Sequence, residues 1–374
     1  MTLQAPAGFA HRLKAEAYAR GAMLAGVARL GPMETARAYD DWIAHGYAGE
    51  MAYLARGAEK RRDTTRVVEG AVSALVIGVN YGGREPDGPV ARYARGDDYH
   101  DVLVPMLRGI QDWASGELGV AVPGKAYTDT GPILERDLAR RAGLGWFGKN
   151  TMLISPRHGS FFFIGVLLLG LELEVDAPFG SDHCGSCTRC LSACPTEAFV
   201  APRVLDARRC VSYLTIEAKG DIPGELRDGV GGMVYGCDVC QEVCPYNRKF
   251  SSPASEPAFA PRSWAVSPSP LDWMTMSPEA WREFSAGSPV KRAKRRGFLR
   301  NVAVALGNSG DPAAIPALSA ALDDEEPLVR SHAAWALGEL GAAASTAALE
   351  SRLSVETNAS VLDALRAALG RLTR

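Results

Sequence analysis

The sequence has few of the features that place a protein in or across a membrane. Its longest uninterrupted apolar run, from Phe161 to Leu169, has nine residues, whereas a membrane-spanning helix needs about 20. The first residues, MTLQAPAGFAHRLKAEAYARG, contain neither the charged start, apolar stretch and cleavage site of a secretory signal nor a twin-arginine pattern. These absences predict a soluble protein of the cytoplasm.

Cysteine is absent from residues 1–175, and all eight cysteines of the chain lie between Cys184 and Cys244. Disulfides are rare in a reducing compartment, so such a tight group of cysteines favours metal binding. The composition is otherwise that of a globular protein, with 22% charged residues and a formal net charge of −2. A chain of 374 residues is long enough for two or three domains.

The cysteine-free part of the chain predicts a mixed α/β domain. The runs AVSALVIGV, from Ala71 to Val79, and FFFIGVLLL, from Phe161, are typical of strands buried on both faces. Between them, the segment from Pro132 to Ala142 predicts a helix that begins at a proline and stops before a glycine. Asp129 precedes this helix, where its carboxylate could cap free N–H groups.

The cysteines form two related motifs. The first follows the spacing C-x2-C-x2-C-x3-C-P of bacterial ferredoxins, and the second is the same motif with its first gap stretched to 26 residues. In such motifs the fourth cysteine binds the other cluster. We therefore expect one [4Fe–4S] cluster on Cys184, Cys187, Cys190 and Cys244. The second cluster would be bound by Cys210, Cys237, Cys240 and Cys194.

Two structural zinc sites are the competing interpretation of these cysteines. Zinc sites usually combine two separated C-x2–4-C pairs, and they gain nothing from a third cysteine at the same spacing or from a C-P ending. The pattern therefore favours two adjacent clusters that pass single electrons. Potentials of such clusters span about −700 to +450 mV, so the direction of electron flow stays open.

The C-terminal part contains a repeat. FLRNVAVALGNSG aligns with VRSHAAWALGELG at an offset of 31 residues, which matches Gly307 with Gly338 and Gly310 with Gly341. Paired helices with small residues at their crossings are typical of HEAT-like repeats, although an ordinary Ala-rich bundle is an alternative.

These patterns predict four successive segments. They are a cofactor-sized α/β domain over residues 1–175, a ferredoxin-like domain with two clusters over 176–250, a packing linker rich in Pro, Ser and Trp over 251–290, and an all-α HEAT-like repeat domain over 291–374.

A strongly basic stretch opens the repeat domain. No acid occurs between Glu283 and Asp311. The basic residues are Lys291, Arg292, Lys294, Arg295, Arg296 and Arg300. On one helix, Arg292, Arg296 and Arg300 would share a face suited to a phosphate backbone, because they are spaced by four residues. A solvated charged helix is the alternative, but the lack of nearby acids and the adjoining repeat favour nucleic-acid binding.

The residues alone leave two functions open. One is an enzyme that reduces a group attached to a nucleic acid. The other is a non-catalytic electron carrier or redox sensor with a nucleic-acid-binding module. A carrier does not need 175 residues of cofactor-sized α/β structure, which favours the enzyme.

Seven segments taken together resemble the epoxyqueuosine reductases, a cobalamin-dependent family that catalyses the last step of queuosine synthesis in tRNA. In order along nearly the whole chain, they are RYARGDDYHDVL, DTGPILER, AGLGWFGKN, CGSCTRCLSACPTEA, RRCVSYLTIE, GCDVCQEVCPYN and KRAKRRGFLRNVAVALGN. Gly131 stands where some members have alanine, which is a mild departure.

The resemblance implies that the epoxide of epoxyqueuosine, at the wobble position of tRNA, is reduced to the alkene of queuosine. It also implies a base-off cobalamin between the N-terminal domain and the two [4Fe–4S] clusters, with electrons arriving from an external low-potential donor. The implied substrate is a tRNA with a GUN anticodon. We expect a monomer without a membrane partner.

The resemblance assigns the proton donor to Asp129, because cleaving a C–O bond leaves an alkoxide that needs a positioned acid. Asp129 would also lie against the cobalamin. Seven further cobalamin contacts are expected, each of which could equally be a structural residue. They are Arg56, Tyr93, Asn150, Leu153, Ser212, Tyr213 and Thr215.

A reductive dehalogenase, which also pairs cobalamin with two clusters, is the competing enzyme. It would normally carry an export signal and would not need a basic repeat domain. Both features favour the tRNA-modifying enzyme.

Overall fold

The computed structural model describes residues 2–84 and 87–373, which fold into two compact units. Unit 1 is assembled from Met1–Pro86, Gly96–Asp206 and Asp238–Ala260. Unit 2 is assembled from Asp87–Arg95, Ala207–Cys237 and Pro261–Arg374. The cysteine-rich segment is therefore divided between the two units. The segment boundaries predicted at residues 175, 250 and 290 do not coincide with the boundaries between these two units.

The centre of unit 1 is a four-stranded antiparallel sheet. Its strands, in spatial order, are Leu24–Arg29, Ser73–Asn80, Phe162–Leu169 and Gly124–Tyr127. The second of these is buried along its whole length, as expected for an uninterrupted apolar run. Both strands predicted from the sequence are confirmed, and they are direct neighbours in the sheet.

The remaining elements of unit 1 are short strands and helices. The strands are Leu3–Gln4, Trp146–Phe147, Leu153–Ile154, Leu171–Glu172, Phe199–Ala201 and Val204–Leu205. The helices are Phe9–Ala19, Ala36–Ala44, Ala52–Ala55, Ala58–Arg62, Tyr99–Leu118, Glu135–Arg141, Arg189–Ser192, Val239–Glu242 and Pro245–Phe250, with 3-10 turns at Thr64–Arg66 and Pro257–Phe259.

The longest helix of unit 1, Tyr99–Leu118, packs on the sheet through one apolar face. Leu103, Leu107 and Ile110 on that face are fully buried, which stabilises the fold by about 1.5–3 kcal/mol for each side chain. The carboxylate of Asp98 caps the helix by accepting the backbone N–H of His100. This cap and the buried face hold the first turn of the helix in place.

The helix Glu135–Arg141 begins three residues later than the proline pattern predicts. The reason is the residue before it, because Leu134 has ψ 80°, which lies outside the helical region. The predicted end is confirmed, because Gly143 follows the helix with φ 79°.

Unit 2 is built mainly from helices. They are Val211–Ile216, Gly224–Val230, Ser263–Val266, Pro270–Met274, Pro278–Ser285, Lys294–Ser309, Ile315–Ala321, Pro327–Leu340, Thr346–Leu353 and Ala359–Leu372. Short 3-10 turns lie at Arg92–Ala94, Ala207–Arg209, Pro289–Ala293, Pro312–Ala314 and Ala343–Ser345.

The three long C-terminal helices, Lys294–Ser309, Pro327–Leu340 and Ala359–Leu372, pack one against the next. Of the matched glycines, Gly307 and Gly338 lie where these helices cross, whereas Gly310 and Gly341 end two of the helices in a left-handed conformation. A Cβ atom at Gly307 would come within 2.8 Å of the Trp335 ring, and one at Gly338 within 2.8 Å of the Ala368 backbone. The repeat predicted from the sequence therefore reflects the close approach of successive helices.

Candidate functional site

Asp129 lies in a tight turn that two hydrogen bonds hold in place. Its backbone N–H donates to Oε1 of Glu135 at 2.6 Å. The hydroxyl of Tyr99 donates to its Oδ2 at 2.8 Å. The side chain of Asp129 is exposed, so the turn presents a positioned carboxyl group at the surface of unit 1.

This arrangement corrects the interpretation of Asp129 as a helix cap. No side chain caps the helix that begins at Glu135. The roles are reversed, because the carboxyl group of Glu135 accepts the N–H of Asp129. The left-handed conformation of Asp129 costs free energy on the order of 1–2 kcal/mol, which the neighbouring bonds must offset.

The surroundings of Glu135 favour the protonated form of its carboxyl group. Burial first, and then the negative charge of Asp129, raise the pKa of the Glu135 carboxyl group to about 8. Sequence reasoning missed Glu135 as a site residue, although it lies in the segment DTGPILER. Asp129 lies in a turn and Glu135 begins the helix that follows, so no periodic pattern links the two residues.

Tyr99 is itself fixed by ring stacking. It lies between Phe163, with ring centroids 4.5 Å apart, and His100, with centroids 4.2 Å apart. Its buried ring leaves the hydroxyl as the polar end that meets Asp129. Tyr99 was also missed by sequence reasoning, although it lies within the segment RYARGDDYHDVL.

His100 offers a polar atom to a bound group. Its Nδ1 lies 2.6 Å from Oδ1 of the buried Asp98, so we assign the ring proton to Nδ1. Its Nε2 is buried and has no hydrogen-bond partner within the described residues. Buried polar atoms in proteins are rarely left unpaired, so this atom suits a ligand beside Tyr99 and Asp129.

The predicted cobalamin contacts of unit 1 have different surroundings. Arg56 is exposed. Asn150 is buried, and its Nδ2 donates to the carbonyl of Cys240 at 3.2 Å. Leu153 is 2% exposed and packs in the core beside the sheet. The Leu153 side chain is therefore already covered by apolar neighbours, and a contact between this residue and a cofactor stays a prediction.

The predicted contacts of unit 2 divide in the same way. Tyr93 and Ser212 are partly exposed, and Tyr213 is 8% exposed. Thr215 is fully buried, with its hydroxyl donating to Val211 O at 2.7 Å and accepting the Gly236 N–H at 2.9 Å. The Thr215 hydroxyl therefore joins two backbone segments, and a contact between this residue and a cofactor stays a prediction.

Four of the cysteines converge within unit 1. Burial and the neighbouring thiolates Cys184 and Cys187 raise the pKa of both Cys190 and Cys244. These four are the set expected for one [4Fe–4S] cluster, and four convergent thiols fit that group. Within residues 2–84 and 87–373, no three His, Cys, Asp or Glu side chains are grouped to share a single metal ion. In a cubane cluster each thiolate binds its own iron.

Protein N–H groups reach the sulfur atoms. The indole Nε1–H of Trp146 donates to Sγ of Cys184 at 3.4 Å, and the backbone N–H of Ala198 donates to Sγ of Cys194 at 3.3 Å. Trp146 also packs against Phe179 and Tyr246. Hydrogen bonds to sulfur and an apolar shell adjust a cluster's potential. Trp146 was not predicted, because no spacing rule links it to a cysteine.

The cysteines expected for the second cluster come from both units. Cys194 and Cys240 belong to unit 1, and Cys210 and Cys237 belong to unit 2. Cys210 immediately precedes the helix Val211–Ile216.

The basic stretch is not one continuous helical face. Lys294 begins its helix with φ 57°, and Arg292 lies in the preceding 3-10 turn. Arg292 forms a two-pronged ion pair with Glu217, at 3.0 and 2.9 Å. Arg295 pairs with Asp324 at 2.5 Å. The acids that are missing locally are therefore supplied by distant parts of the chain.

Arg300 corrects a second prediction. Its side chain is fully buried, and it donates to the carbonyl groups of Leu214, Ala218 and Gly220 at 2.5 to 2.8 Å. It cannot contribute to a tRNA-binding surface. Of the other predicted residues, Lys291, Arg292 and Lys294 are exposed, whereas Arg295 and Arg296 are partly buried.

No helix within residues 2–84 and 87–373 combines the length and the apolar character needed to cross a bilayer.

Three family descriptions match successive parts of the chain. Residues 61–130 match "Epoxyqueuosine reductase QueG, DUF1730", residues 183–247 match a 4Fe-4S double cluster binding domain, and residues 294–370 match HEAT repeats. The last two matches confirm the iron–sulfur and repeat predictions.

Similar proteins cover most of the chain. An epoxyqueuosine reductase of Xanthomonas campestris pv. campestris is 41% identical over 319 residues, which are 80% of this chain and 87% of that protein. One of Escherichia coli K12 is 38% identical over 308 residues, or 80% of each chain.

Two solved structures have the same fold. A crystal structure of epoxyqueuosine reductase with an epoxyqueuosine-modified tRNA-Tyr stem loop superposes with a TM-score of 0.89, at 30% identity, covering 97% of this chain and 98% of that one. A Bacillus subtilis epoxyqueuosine reductase with its catalytic aspartate loop swung out of the active site has the same TM-score and coverage at 29% identity. The chain therefore belongs to the epoxyqueuosine reductase family of oxidoreductases.

Proposed function

We propose that this protein reduces the epoxide of epoxyqueuosine, at the wobble position of a tRNA with a GUN anticodon, to the alkene of queuosine. The relative bound to a modified tRNA stem loop supports tRNA as the substrate. The reaction consumes two electrons and two protons and releases the epoxide oxygen as water. Because its substrate is tRNA, we expect the protein to act in the cytoplasm. We also expect it to act as a monomer.

The observation that carries the proposal is the positioned carboxyl group of Asp129. When the C–O bond of an epoxide breaks, the oxygen gains negative charge and needs a proton from a nearby acid. Asp129 is exposed on unit 1, and Tyr99 and Glu135 limit its movement. We assign it as the proton donor, with Glu135 and Tyr99 holding it in place.

The turn around Asp129 also corresponds to a loop that moves in a relative. The Bacillus subtilis relative has been captured with a catalytic aspartate loop swung out of its active site. We propose that residues 128–131 form the corresponding loop here. The hydrogen bonds from Tyr99 and to Glu135 then hold the loop in one position, and breaking them releases it.

The eight cysteines would bind two [4Fe–4S] clusters, which take single electrons from an external low-potential donor. The convergence of Cys184, Cys187, Cys190 and Cys244 in unit 1 and the N–H groups aimed at sulfur support this assignment. One-electron carriers in series suit a reaction that consumes two electrons.

The residues near Asp129 fit a further bound group, because the buried Nε2 of His100 has no partner within the described residues. We propose a base-off cobalamin, which when bound supplies the strongly reducing chemistry that side chains lack. The candidate residues to hold it, together with Asp129, remain Arg56, Tyr93, Asn150, Leu153, Ser212, Tyr213 and Thr215.

The tRNA would contact exposed basic residues of unit 2. Lys291, Arg292 and Lys294 remain in this set after Arg300 is removed, and two partly buried arginines accompany them, Arg296 and, in its ion pair with Asp324, Arg295. Contacts of this kind to phosphates give affinity without reading base sequence.

The test combines cofactor analysis with one substitution. After anaerobic reconstitution, we expect about eight irons per chain and retention of cobalamin through gel filtration. Asp129→Asn should retain iron, cobalamin and tRNA binding but lose turnover of an epoxyqueuosine stem loop. The exposed Asp112 offers a matched control, and Asp112→Asn should turn over normally. Normal turnover by Asp129→Asn would remove Asp129 from the mechanism.

A further inference from the structure

An open depression of about 360 Å³ lies on the cysteine-rich surface of unit 1. Its lining residues are Arg189, Ser192, Ala193, Val243 and Arg248. Two of the five are cations and none is an acid. We propose that this depression is the docking site for an acidic protein that delivers single electrons to the clusters. The proposal rests on the function proposed above, which requires an external donor.

The first argument is the distance along the chain to the cluster ligands. Arg189 precedes Cys190, Ala193 precedes Cys194, and Val243 precedes Cys244. Consecutive Cα atoms are about 3.8 Å apart. A partner seated in the depression therefore contacts the segments that carry three cluster ligands, which is where an incoming electron must arrive.

The second argument is the state of the two arginines. Both are exposed, and neither forms an ion pair within the described residues. Arg248 is anchored by its Nε–H, which donates to the carbonyl of Glu242 at 3.1 Å. Lys249 beside it is exposed as well. Guanidinium groups without an ion pair suit carboxylates on a partner, to which they can donate two parallel hydrogen bonds.

The third argument is the size and character of the surface. Ala193 and Val243 give the depression apolar contacts between the two arginines. Electron-transfer complexes are among the smallest protein interfaces, burying less than about 1,200 Å² in total. In such complexes, complementary charge mainly raises the rate of association. A shallow, cationic surface beside a redox centre fits that class of partner.

The proposed reaction at this site is the transfer of one electron. One electron leaves the reduced donor and enters a cluster of this protein. The donor is oxidised, the cluster is reduced, and no proton or covalent bond is exchanged. A plant-type [2Fe–2S] ferredoxin, with a potential of about −400 mV, is an acidic one-electron probe for the experiment.

The experiment measures the rate at which pre-reduced ferredoxin bleaches the reconstituted clusters in a stopped-flow spectrometer. For Arg189→Glu/Arg248→Glu, we expect the second-order rate constant at low salt to fall about tenfold or more and its salt dependence to flatten. The affinity for oxidised ferredoxin, measured by calorimetry, should decrease in parallel. Arg189→Lys/Arg248→Lys keeps both charges and should stay within about threefold of the wild type.

Two controls separate this proposal from damage to the clusters. Reduced methyl viologen, a small cation, should reduce the Glu variant as fast as the wild type. The exposed Arg37 and Arg108 of unit 1 offer a charge-matched pair, and Arg37→Glu/Arg108→Glu should leave the ferredoxin rate unchanged.

Two results would overturn the proposal. The first is an unchanged ferredoxin rate in the Arg189→Glu/Arg248→Glu variant. The second is loss of tRNA affinity, together with loss of methyl viologen-driven turnover, which would assign the arginines to an RNA surface. Because cluster bleaching needs neither tRNA nor cobalamin, failure of the proposed reaction itself would leave this rate unaffected.

Discussion

The carboxyl group of Glu135 accepts the backbone N–H of Asp129 at 2.6 Å, across a turn in which Asp129 adopts a left-handed conformation. Asp129 is the proposed proton donor, and Glu135 touches its backbone rather than its reacting oxygens. Glu135 is therefore a positioning residue. Its contribution can be separated from that of Asp129, because the amide of a glutamine can accept the same hydrogen bond.

Replacing Glu135 by alanine should lower kcat about tenfold while leaving KM for the tRNA stem loop unchanged. A typical hydrogen bond contributes about 0.5–1.5 kcal/mol, and about 1.4 kcal/mol in the activation free energy is a factor of ten. Glu135→Gln should retain most of kcat, because its carbonyl oxygen replaces Oε1. Steady-state kinetics of the two variants test this, and an equally impaired glutamine variant would contradict a positioning role.

Glu135 should also leave a signature in the pH dependence of stability. Burial and the charge of Asp129 raise its pKa from 4.5 to about 8, so the folded state binds this proton more tightly than the unfolded state. The free energy of unfolding should therefore fall as the pH rises from about 4.5 to about 8. Denaturant unfolding across this range should show that Glu135→Gln lacks this component. An identical pH dependence in both proteins would refute the assignment.

His332 should make unit 2 sensitive to acid. Burial, followed by the charges of Arg227 and Arg300, lowers the pKa of His332 well below 6.5. Its neutral Nε2 accepts the N–H of Ile222 at 3.3 Å. The unfolded chain therefore binds a proton at this histidine more readily than the folded chain. The contribution of neutral His332 to the free energy of unfolding is complete above about pH 6.5 and is lost as the pH falls.

The measurement for His332 is the Tm between about pH 7.5 and 5.5. His332→Gln should lose the part of the acid-induced decrease that depends on this side chain. The exposed His11 provides a control, and His11→Gln should behave as the wild type. The prediction would be disproved if the Tm of the wild type did not decrease as the pH is lowered from about 6.5 to about 5.5.

Trp146→Phe should make one cluster harder to reduce. The indole N–H donates to Sγ of Cys184 at 3.4 Å, and such a bond stabilises the additional negative charge of a reduced cluster. One hydrogen bond corresponds to a decrease in potential on the order of 20–60 mV for one electron. A redox titration monitored by electron paramagnetic resonance measures this potential. Trp113→Phe is the control, and a potential raised by Trp146→Phe would reverse the argument.

The exposed and partly buried basic residues of unit 2 should carry a salt-dependent share of tRNA affinity. Replacing Lys291 and Arg296 by alanine should weaken binding and lower the slope of log K against log[salt] by about 0.7–0.9 for each phosphate that the variant no longer neutralises. Arg300→Met should instead lower the Tm, because three carbonyl groups lose their donor. Unchanged affinity in the double variant would remove this face from the tRNA interface.

Local patterns in the sequence were sufficient for much of the architecture. The cysteine spacing predicts two iron–sulfur clusters because short motifs of this kind place ligands by local geometry alone. The matched Gly307 and Gly338 predict helix crossings, since both are required where a Cβ would collide with the next helix. The buried strand Ser73–Asn80 was likewise predicted, because a continuous apolar run is a property of the segment itself.

Only the tertiary structure decided which polar groups meet across long stretches of chain. It paired Trp146 with Cys184, used Arg295 to neutralise Asp324, and placed Glu135 rather than Asp129 as the acceptor at the turn. It also buried Arg300 among carbonyl groups that lie about 80 residues earlier. Charge and hydrogen-bonding capacity can be read from a sequence, but the partner that satisfies them depends on which segments the fold brings together.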